Sequence, residues 1–136
     1  MAPPWKGYLA FYKASISDEG TQSTWRRLVD VDEPVYGALA FNAANAAVGL
    51  VHSLPHRSTW TTGDYCYLQG LFVAEDGRGF GDGCRLIEHV YQEAGRMNCS
   101  RVYWLTHETN QTAMLLYDKV ADRSGFVQYR KMLGST

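Results

Sequence analysis

Hydrophobic and polar residues are arranged along the chain in patterns that predict helices and strands in turn. Apolar side chains of residues 5–16 share one broad helical face, and Ser23 or Thr24 caps a second short helix that Pro34 ends. Three β-type runs follow, VYGALAFNA, AAVGLVHSLPH and YCYLQGLFV. The first two are separated by residues 42–45, which predicts a hairpin.

The second half of the chain continues the alternation. Residues 83–94 carry apolar side chains at helical spacing, which predicts an amphipathic helix that Gly95 ends. A short strand is predicted over residues 101–105, a helix over 111–120 and a last strand over 126–133. No repeat or linker interrupts this order. The pattern therefore predicts one α/β domain.

Composition agrees with a single cytosolic domain over residues 1–136. The chain is 46% hydrophobic and 20% charged, which argues against disorder, and its net charge of -1 predicts neither a nucleic-acid partner nor an acidic membrane surface. The three cysteines are odd in number and scattered, as expected for reduced thiols without a zinc site. We see no apolar run of membrane-spanning length and no signal-peptide pattern.

Glycines occupy alternate positions in EDGRGFGDGC, residues 75–84. This stretch joins the strand predicted to end at Val73 to the helix predicted to begin near Gly83. The first amides of a helix are unpaired and its dipole favours an anion there, while glycines let the backbone approach closely. The stretch predicts a phosphate or pyrophosphate site, and the alternative is a glycine-rich surface turn.

Two common phosphate-binding motifs do not match this stretch. A P-loop needs a lysine that is not present, and the dinucleotide fingerprint needs Gly or Ala where Asp82 or Cys84 stands. A third motif matches. RGFGDG at residues 78–83 resembles Arg/Gln-x-x-Gly-x-Gly/Ala, the acetyl-CoA signature of the GNAT superfamily of N-acetyltransferases.

Further motifs carry the same resemblance. LFVAED is similar to the family's fourth strand, and NQTAMLLYDKV at residues 110–120 is similar to its second motif, Asn-x-x-Ala-x-x-Leu-Tyr-x-Lys. Gly125-Phe126 then precedes the last predicted strand, as in the family. From about residue 35 to residue 133 the chain resembles a GNAT domain of the small branch that includes histone and polyamine N-acetyltransferases.

The resemblance implies an α/β (α+β) fold, a mixed central sheet flanked by helices, with acetyl-CoA as cofactor. Its pantetheine arm would lie beside the fourth strand, and its pyrophosphate would lie on the loop amides. Asp82 is unusual there, because a carboxylate repels phosphate. The cofactor-binding residues implied by the match are Leu71, Phe72, Val73, Arg78, Gly79, Phe80, Gly81, Asp82, Gly83, Cys84, Asn110, Ala113, Tyr117 and Lys119.

The resemblance also implies a mechanism, direct attack of an amine on the acetyl thioester in a ternary complex, with a strand amide stabilising the tetrahedral intermediate. Tyr117 would protonate the departing thiolate, because a phenol remains a neutral donor near neutral pH. The alternative for Tyr117 is an ordinary core residue of its helix.

The general base is the weakest part of the match. Carboxylates are frequent in this branch at the strand positions that Gln69 and Gly70 occupy here, and neither residue takes up a proton. Glu108 is the substitute that we name, with His52 and His56 as further candidates. The competing interpretation is a helix cap for Glu108 and ordinary cleft residues for the histidines, which lack further ligands for a metal.

Other functions and partners stay open. The absent carboxylates favour a non-catalytic acyl-CoA-binding or regulatory module, and a nucleotide-phosphate-binding protein is a second alternative. The acceptor is a small-molecule or peptide amine, whether polyamine, amino acid, peptide or antibiotic.

Only MAPP precedes Trp5, so the family's first strand is missing or reduced. The sheet edge left open, together with abundant Trp and Tyr, predicts a homodimer.

Overall fold

A computed structural model describes residues 18–30, 32–44, 47–73 and 81–134. Its elements, in chain order, are α1 (Asp18–Val29), β1 (Tyr36–Phe41), β2 (Ala47–His56), β3 (Tyr65–Val73), α2 (Asp82–Arg96), β4 (Arg101–Tyr103) and α3 (Gln111–Val120). The chain divides into two compact units, with the boundary between Leu105 and Thr106. The first unit holds the sheet with α1 and α2, and the second holds α3.

The sheet is mixed, as predicted. Its strand order is β1-β2-β3-β4, with antiparallel pairing from β1 to β3 and parallel pairing between β3 and β4. Antiparallel pairing of β1 with β2 confirms the predicted hairpin, and β3 has the predicted bounds. Parallel neighbours need a crossover connection, and α2 lies in the one between β3 and β4.

Apolar side chains cover the sheet on two sides. The buried face of α2, formed by Leu86, Ile87, Val90 and Ala94, packs on β2 and β3 and confirms the predicted amphipathic helix. Leu50 of β2 packs with Trp25, Leu28 and Leu39. Burying a side chain such as Leu50 contributes roughly 1.5–3 kcal/mol, so this packing holds α1 against the sheet.

Two predicted helix ends are wrong. Residues Ser23 and Thr24 lie inside α1, which is already helical at Asp18. A capping residue gives only a local preference, and the packing of the Trp25 and Leu28 side chains stabilises the helix around it. Gly95 likewise lies inside α2, and Asn98 takes the left-handed conformation beyond its end, with φ 58°.

The strand predicted over residues 126–133 is also wrong. This segment forms no ladder with any described strand. Its large apolar side chains are exposed, among them Phe126 at 89% and Tyr129 at 92%. A strand exists only where a second backbone accepts and donates its hydrogen bonds, and composition does not supply that partner. The predicted helix over residues 5–16 and the missing first strand fall outside the described residues.

Candidate active site

The first turn of α2 presents backbone donors where the glycine-rich stretch ends. Gly81 is the N-cap, with φ 79° and ψ 12°, a left-handed conformation that glycine adopts without strain. The amides of Asp82, Gly83 and Cys84 follow, and the first N–H groups of a helix have no acceptor within it. This turn suits an anion. The predicted loop residues 78–80 lie outside the described residues.

Side chains in this turn modify its charge. The carboxylate of Asp82 lies 3.6 Å from the Arg85 guanidinium. This cation offsets part of the negative charge by which Asp82 would repel a phosphate. Cys84 Sγ donates to Glu88 Oε1 at 3.5 Å. Desolvation and then the Glu88 carboxylate raise the pKa of the Cys84 thiol, which therefore stays protonated near neutral pH.

The parallel strands β3 and β4 separate partway along the sheet. They pair over Tyr65–Tyr67 and Arg101–Tyr103, where β4 ends, while β3 continues to Val73. The predicted arm-binding residues Leu71, Phe72 and Val73 pair with β2 and lie beyond the last rung of the β3–β4 ladder in the described part of the chain. A strand edge outside a ladder is where an extended, amide-containing ligand can pair with a sheet.

A bulge lies at the start of the open edge. His52 faces Gly70 and the next residue of β2, Ser53, faces Leu68, so Gln69 has no residue opposite it. A bulge of this kind disrupts the ladder locally and reorients the backbone. The extra residue is one of the two strand positions at which the sequence lacks the expected carboxylate.

His52 is a poor proton acceptor. It lies in the middle of the sheet and only 5% of it is exposed. Burial lowers the pKa of His52 to about 4, so its imidazole is neutral near neutral pH and takes up a proton only in acid. This argues against the base role considered for His52.

His56 belongs to an aromatic cluster at the closed end of the β3–β4 pair. Its Nε2 lies 2.6 Å from the Tyr103 hydroxyl oxygen, and its Nδ1 lies 2.8 Å from the Arg57 carbonyl oxygen. The His56 ring makes edge contacts with the rings of Tyr65 and Tyr103, at 5.7 Å between centroids in both cases. His56 is therefore held in a defined orientation at the exposed end of β2.

The rest of the aromatic cluster comes from β3 and β4. The Tyr67 and Tyr103 rings stack with centroids 5.1 Å apart, and the Arg101 guanidinium lies 4.2 Å from the Tyr65 ring centroid. The sequence analysis missed this cluster. Its signal was present, because alternate residues of a strand share a face and both YCY and RVY place large side chains at alternate positions.

The second compact unit places the predicted residues of the second motif at the start of α3. Asn110 is the N-cap, and its Oδ1 accepts from the Ala113 amide at 3.4 Å. The helix cap considered for Glu108 therefore comes from Asn110, and Glu108 lies exposed in the preceding turn, closed by an Asn110 amide to His107 carbonyl bond of 2.9 Å. The Asn110 side-chain NH₂ is a further donor that the cap does not use.

Tyr117 and Lys119 lie further along α3. Desolvation raises the pKa of the half-buried Tyr117 phenol, so this group is protonated near neutral pH and can donate a proton. Lys119 is exposed in the last turn, where the helix dipole favours a cation.

No group of three or more His, Cys, Asp or Glu side chains among the described residues is arranged to hold a metal ion. None of the helices in that part of the chain is both long and apolar enough to cross a membrane.

Solved structures with low sequence identity share this fold. AAC(6')-Iy in complex with the bisubstrate analogue CoA-S-monomethyl-acetylneamine matches with a TM-score of 0.82 at 13% identity, covering 94% of this chain and 90% of that one. A ribosomal-protein-alanine N-acetyltransferase from Brucella melitensis biovar Abortus 2308 matches with a TM-score of 0.73 at 19% identity, covering 93% and 88%.

Sequence comparison identifies the family. The D-amino-acid N-acetyltransferase HPA3 of Saccharomyces cerevisiae is 37% identical to this chain over 128 residues, which are 93% of this chain and 80% of the yeast protein. The family model for acetyltransferases of the GNAT family matches residues 5–121. The chain therefore belongs to the GNAT family of acetyltransferases.

Proposed function

We propose that this protein transfers an acetyl group from acetyl-CoA to the primary amine of a small molecule. The observation that carries the proposal is that β3 extends past its pairing with β4 and is followed along the chain by the N-terminus of α2. β3 continues to Val73 beyond Tyr67, its last rung with β4 among the described residues, and the amides of residues 82–84 lie at a helix N-terminus. An open strand edge suits the amide-containing pantetheine arm, and the helix turn suits the pyrophosphate.

The chain's own residues then have distinct roles. Acetyl-CoA supplies the acetyl group in activated form, as a thioester. The backbone at the Gln69 bulge donates a hydrogen bond to the carbonyl oxygen on which negative charge develops. Tyr117 donates its phenolic proton to the departing sulfur, and Asn110 orients the cofactor arm through its side-chain NH₂. The acceptor amine attacks directly, with both substrates bound.

We propose amino acids as the acceptors, D-amino acids in particular. The name of the yeast relative supports this class, at 37% identity over most of both chains. Residues Gln69 and Gly70 support it as well, because they put no negative charge beside the bulge for the several cations of a polyamine or aminoglycoside.

A non-catalytic acyl-CoA-binding module is the second candidate, favoured by the same absence of carboxylates at Gln69 and Gly70. Calorimetry with acetyl-CoA, followed by a CoA-release assay, separates the two. The acceptor panel would hold D- and L-amino acids, spermidine, an aminoglycoside and a short peptide. An enzyme releases CoA with D-amino acids, whereas a binding module binds acetyl-CoA and releases none. Failure to bind acetyl-CoA at all would refute both.

We propose in addition that the protein forms a homodimer. Exposed apolar side chains of residues 126–133 support it, together with backbone groups that make no ladder in the described structure. A second copy of the chain offers the strand partner that the segment does not find among the described residues.

A further inference from the structure

We propose that Tyr103 and His56 form the proton-accepting pair that deprotonates the acceptor amine. This proposal rests on the acetyltransferase function above and supplies the base that Gln69 and Gly70 cannot provide. A primary amine is mostly protonated near neutral pH and is not a nucleophile in that form. The enzyme therefore needs a group that takes the proton before or during attack.

Hydrogen-bond geometry sets the direction of the pair. The Arg57 carbonyl oxygen, 2.8 Å from His56 Nδ1, only accepts, so Nδ1 carries the hydrogen of the neutral imidazole. The other ring nitrogen, Nε2, is then an acceptor. It lies 2.6 Å from the Tyr103 oxygen, and the Tyr103 hydroxyl donates to it. The phenol is thus already aligned to pass its proton to the imidazole.

The transfer balances as a two-proton relay. One N–H bond of the ammonium group breaks and its proton moves to the Tyr103 oxygen, while the Tyr103 O–H proton moves to His56 Nε2. The positive charge of the ammonium ion becomes that of the imidazolium, and the freed electron pair of the amine attacks the acetyl carbonyl. His56 is exposed, so solvent can take the proton from it afterwards.

The position of Tyr103 supports the relay. It faces Tyr67 on the last rung before β3 and β4 separate. Gln69, whose bulge we propose to hold the reacting carbonyl, follows Tyr67 by two residues, about 7 Å along a strand. A small acceptor amine placed between the rung and the bulge would have the phenol on one side and the carbonyl on the other.

The titratable and charged groups around Tyr103 and His56 come from β3, β4 and the turn after β2. Tyr65 and Tyr67 face it from β3, and Arg101 of β4 lies over the Tyr65 ring. In the turn after β2, the Asp64 carboxylate pairs with the Arg57 guanidinium at 3.3 Å.

Burial, followed by the neighbouring Tyr67 and then Cys66, raises the pKa of Tyr103. The Tyr103 phenol therefore does not act as a free phenolate near neutral pH and needs the imidazole to accept its proton.

The test compares Tyr103→Phe, His56→Gln and, as a matched control, His89→Gln on the exposed side of α2. Glutamine at position 56 still accepts a hydrogen bond through its side-chain oxygen but takes up no proton. We expect kcat/KM for the acceptor to fall about 10²-fold near neutral pH in both cluster variants and to stay unchanged in the control. The double variant should be no worse than either single one, because one relay is lost in each case.

The pH dependence separates proton transfer from positioning. As the pH rises toward about 10, solution itself supplies the neutral amine, so the loss in both variants should shrink toward none. A loss of the same size at every pH, or no loss in either variant, would overturn the relay. Affinity for acetyl-CoA, measured by calorimetry, should be unchanged in all variants and shows that they are folded.

A spectroscopic measurement tests the pair without turnover. Nitrogen NMR of the wild-type protein should find the neutral His56 imidazole protonated at Nδ1, and a proton at Nε2 would contradict the direction that the relay requires. Wild-type protein that binds acetyl-CoA but acetylates no amine would instead refute the proposed function, an outcome distinct from a relay that fails in an active enzyme.

Discussion

Tyr67 and Tyr103 are the last residues at which β3 and β4 face each other in register, and their rings stack with centroids 5.1 Å apart. On one side of this rung the strands are paired and carry the aromatic cluster. On the other side β3 continues to Val73 past the end of β4, still paired with β2, with the Gln69 bulge in between. The two tyrosines therefore mark the boundary between a closed sheet and an open strand edge, where both substrates would meet.

Gly81→Asp should weaken acetyl-CoA binding about tenfold or more, because it puts a negative charge beside the helix N-terminus that we propose to hold the pyrophosphate. It also forces a non-glycine residue into φ 79°. Gly95→Asp is the control, on an exposed part of the same helix where the added Cβ meets no atom within 4 Å apart from its chain neighbours and the helix backbone. Calorimetry that finds equal affinity in both variants would contradict the pyrophosphate site.

Tyr117→Phe should leave acetyl-CoA affinity unchanged and lower kcat about 10²-fold, because the variant keeps the ring and loses the proton donor. Tyr36→Phe is the matched control, since that side chain is exposed at the start of β1 and lies outside the segment proposed for the dimer. Steady-state release of CoA measures the effect. Equal turnover in wild-type protein and the Tyr117 variant would mean that the thiolate departs without help from this phenol.

Gly63→Ala should lower the free energy of unfolding by about 1–3 kcal/mol, because a methyl group there would lie 2.5 Å from the Asn98 carbonyl oxygen, which is backbone and cannot turn aside. Gly95→Ala makes the same chemical change in a helix interior with open space around it. It should raise that free energy by roughly 0.5–1 kcal/mol. Urea unfolding of both variants measures the two effects, and equal signs would refute the steric argument.

His52 should make the protein less stable in acid. Its pKa is lowered to about 4 in the folded state, so between its unfolded value of about 6.5 and about 4 the unfolded chain binds a proton that the folded chain does not. The free energy of unfolding therefore falls as the pH falls through this range, by up to about 3 kcal/mol from this group.

Urea unfolding at several pH values measures this dependence. His52→Gln should flatten it between about pH 6.5 and pH 4, whatever the variant's stability near neutral pH. His89→Gln, at an exposed position, should keep the wild-type dependence. An unchanged dependence in the His52 variant would show that this imidazole is not the buried neutral group described.

Residues 126–133 should mediate the proposed homodimer. Replacing Phe126 and Tyr129 by serine removes both aromatic rings of the segment, and sedimentation velocity should then find a monomer where the wild-type protein is a dimer. Leu115→Ser changes an exposed apolar residue of α3 and should leave the dimer intact. Wild-type protein that sediments as a monomer at every concentration would contradict the proposal.

Local patterns were enough to predict much of this chain. The β-type run YCYLQGLFV predicted β3, and residues 111–120 were predicted as the helix α3, both with the bounds found in the structure. These elements follow from short-range preferences, because the period of apolar residues and a capping side chain act within a few positions of sequence. The glycine-rich stretch and the second motif likewise indicated the GNAT family, which the family match confirms.

Only the tertiary structure determined the features that form between residues distant in the sequence. The hydrogen bond between His56 and Tyr103 joins residues 47 apart in the sequence. The bulge at Gln69 depends on the register between β2 and β3, which the side-chain pattern of neither strand determines. Residues 126–133 have the composition of a strand and no ladder partner in the described structure. A side-chain pattern reports which face of an element can be buried, but hydrogen bonds between strands form only with the backbone that the fold brings alongside.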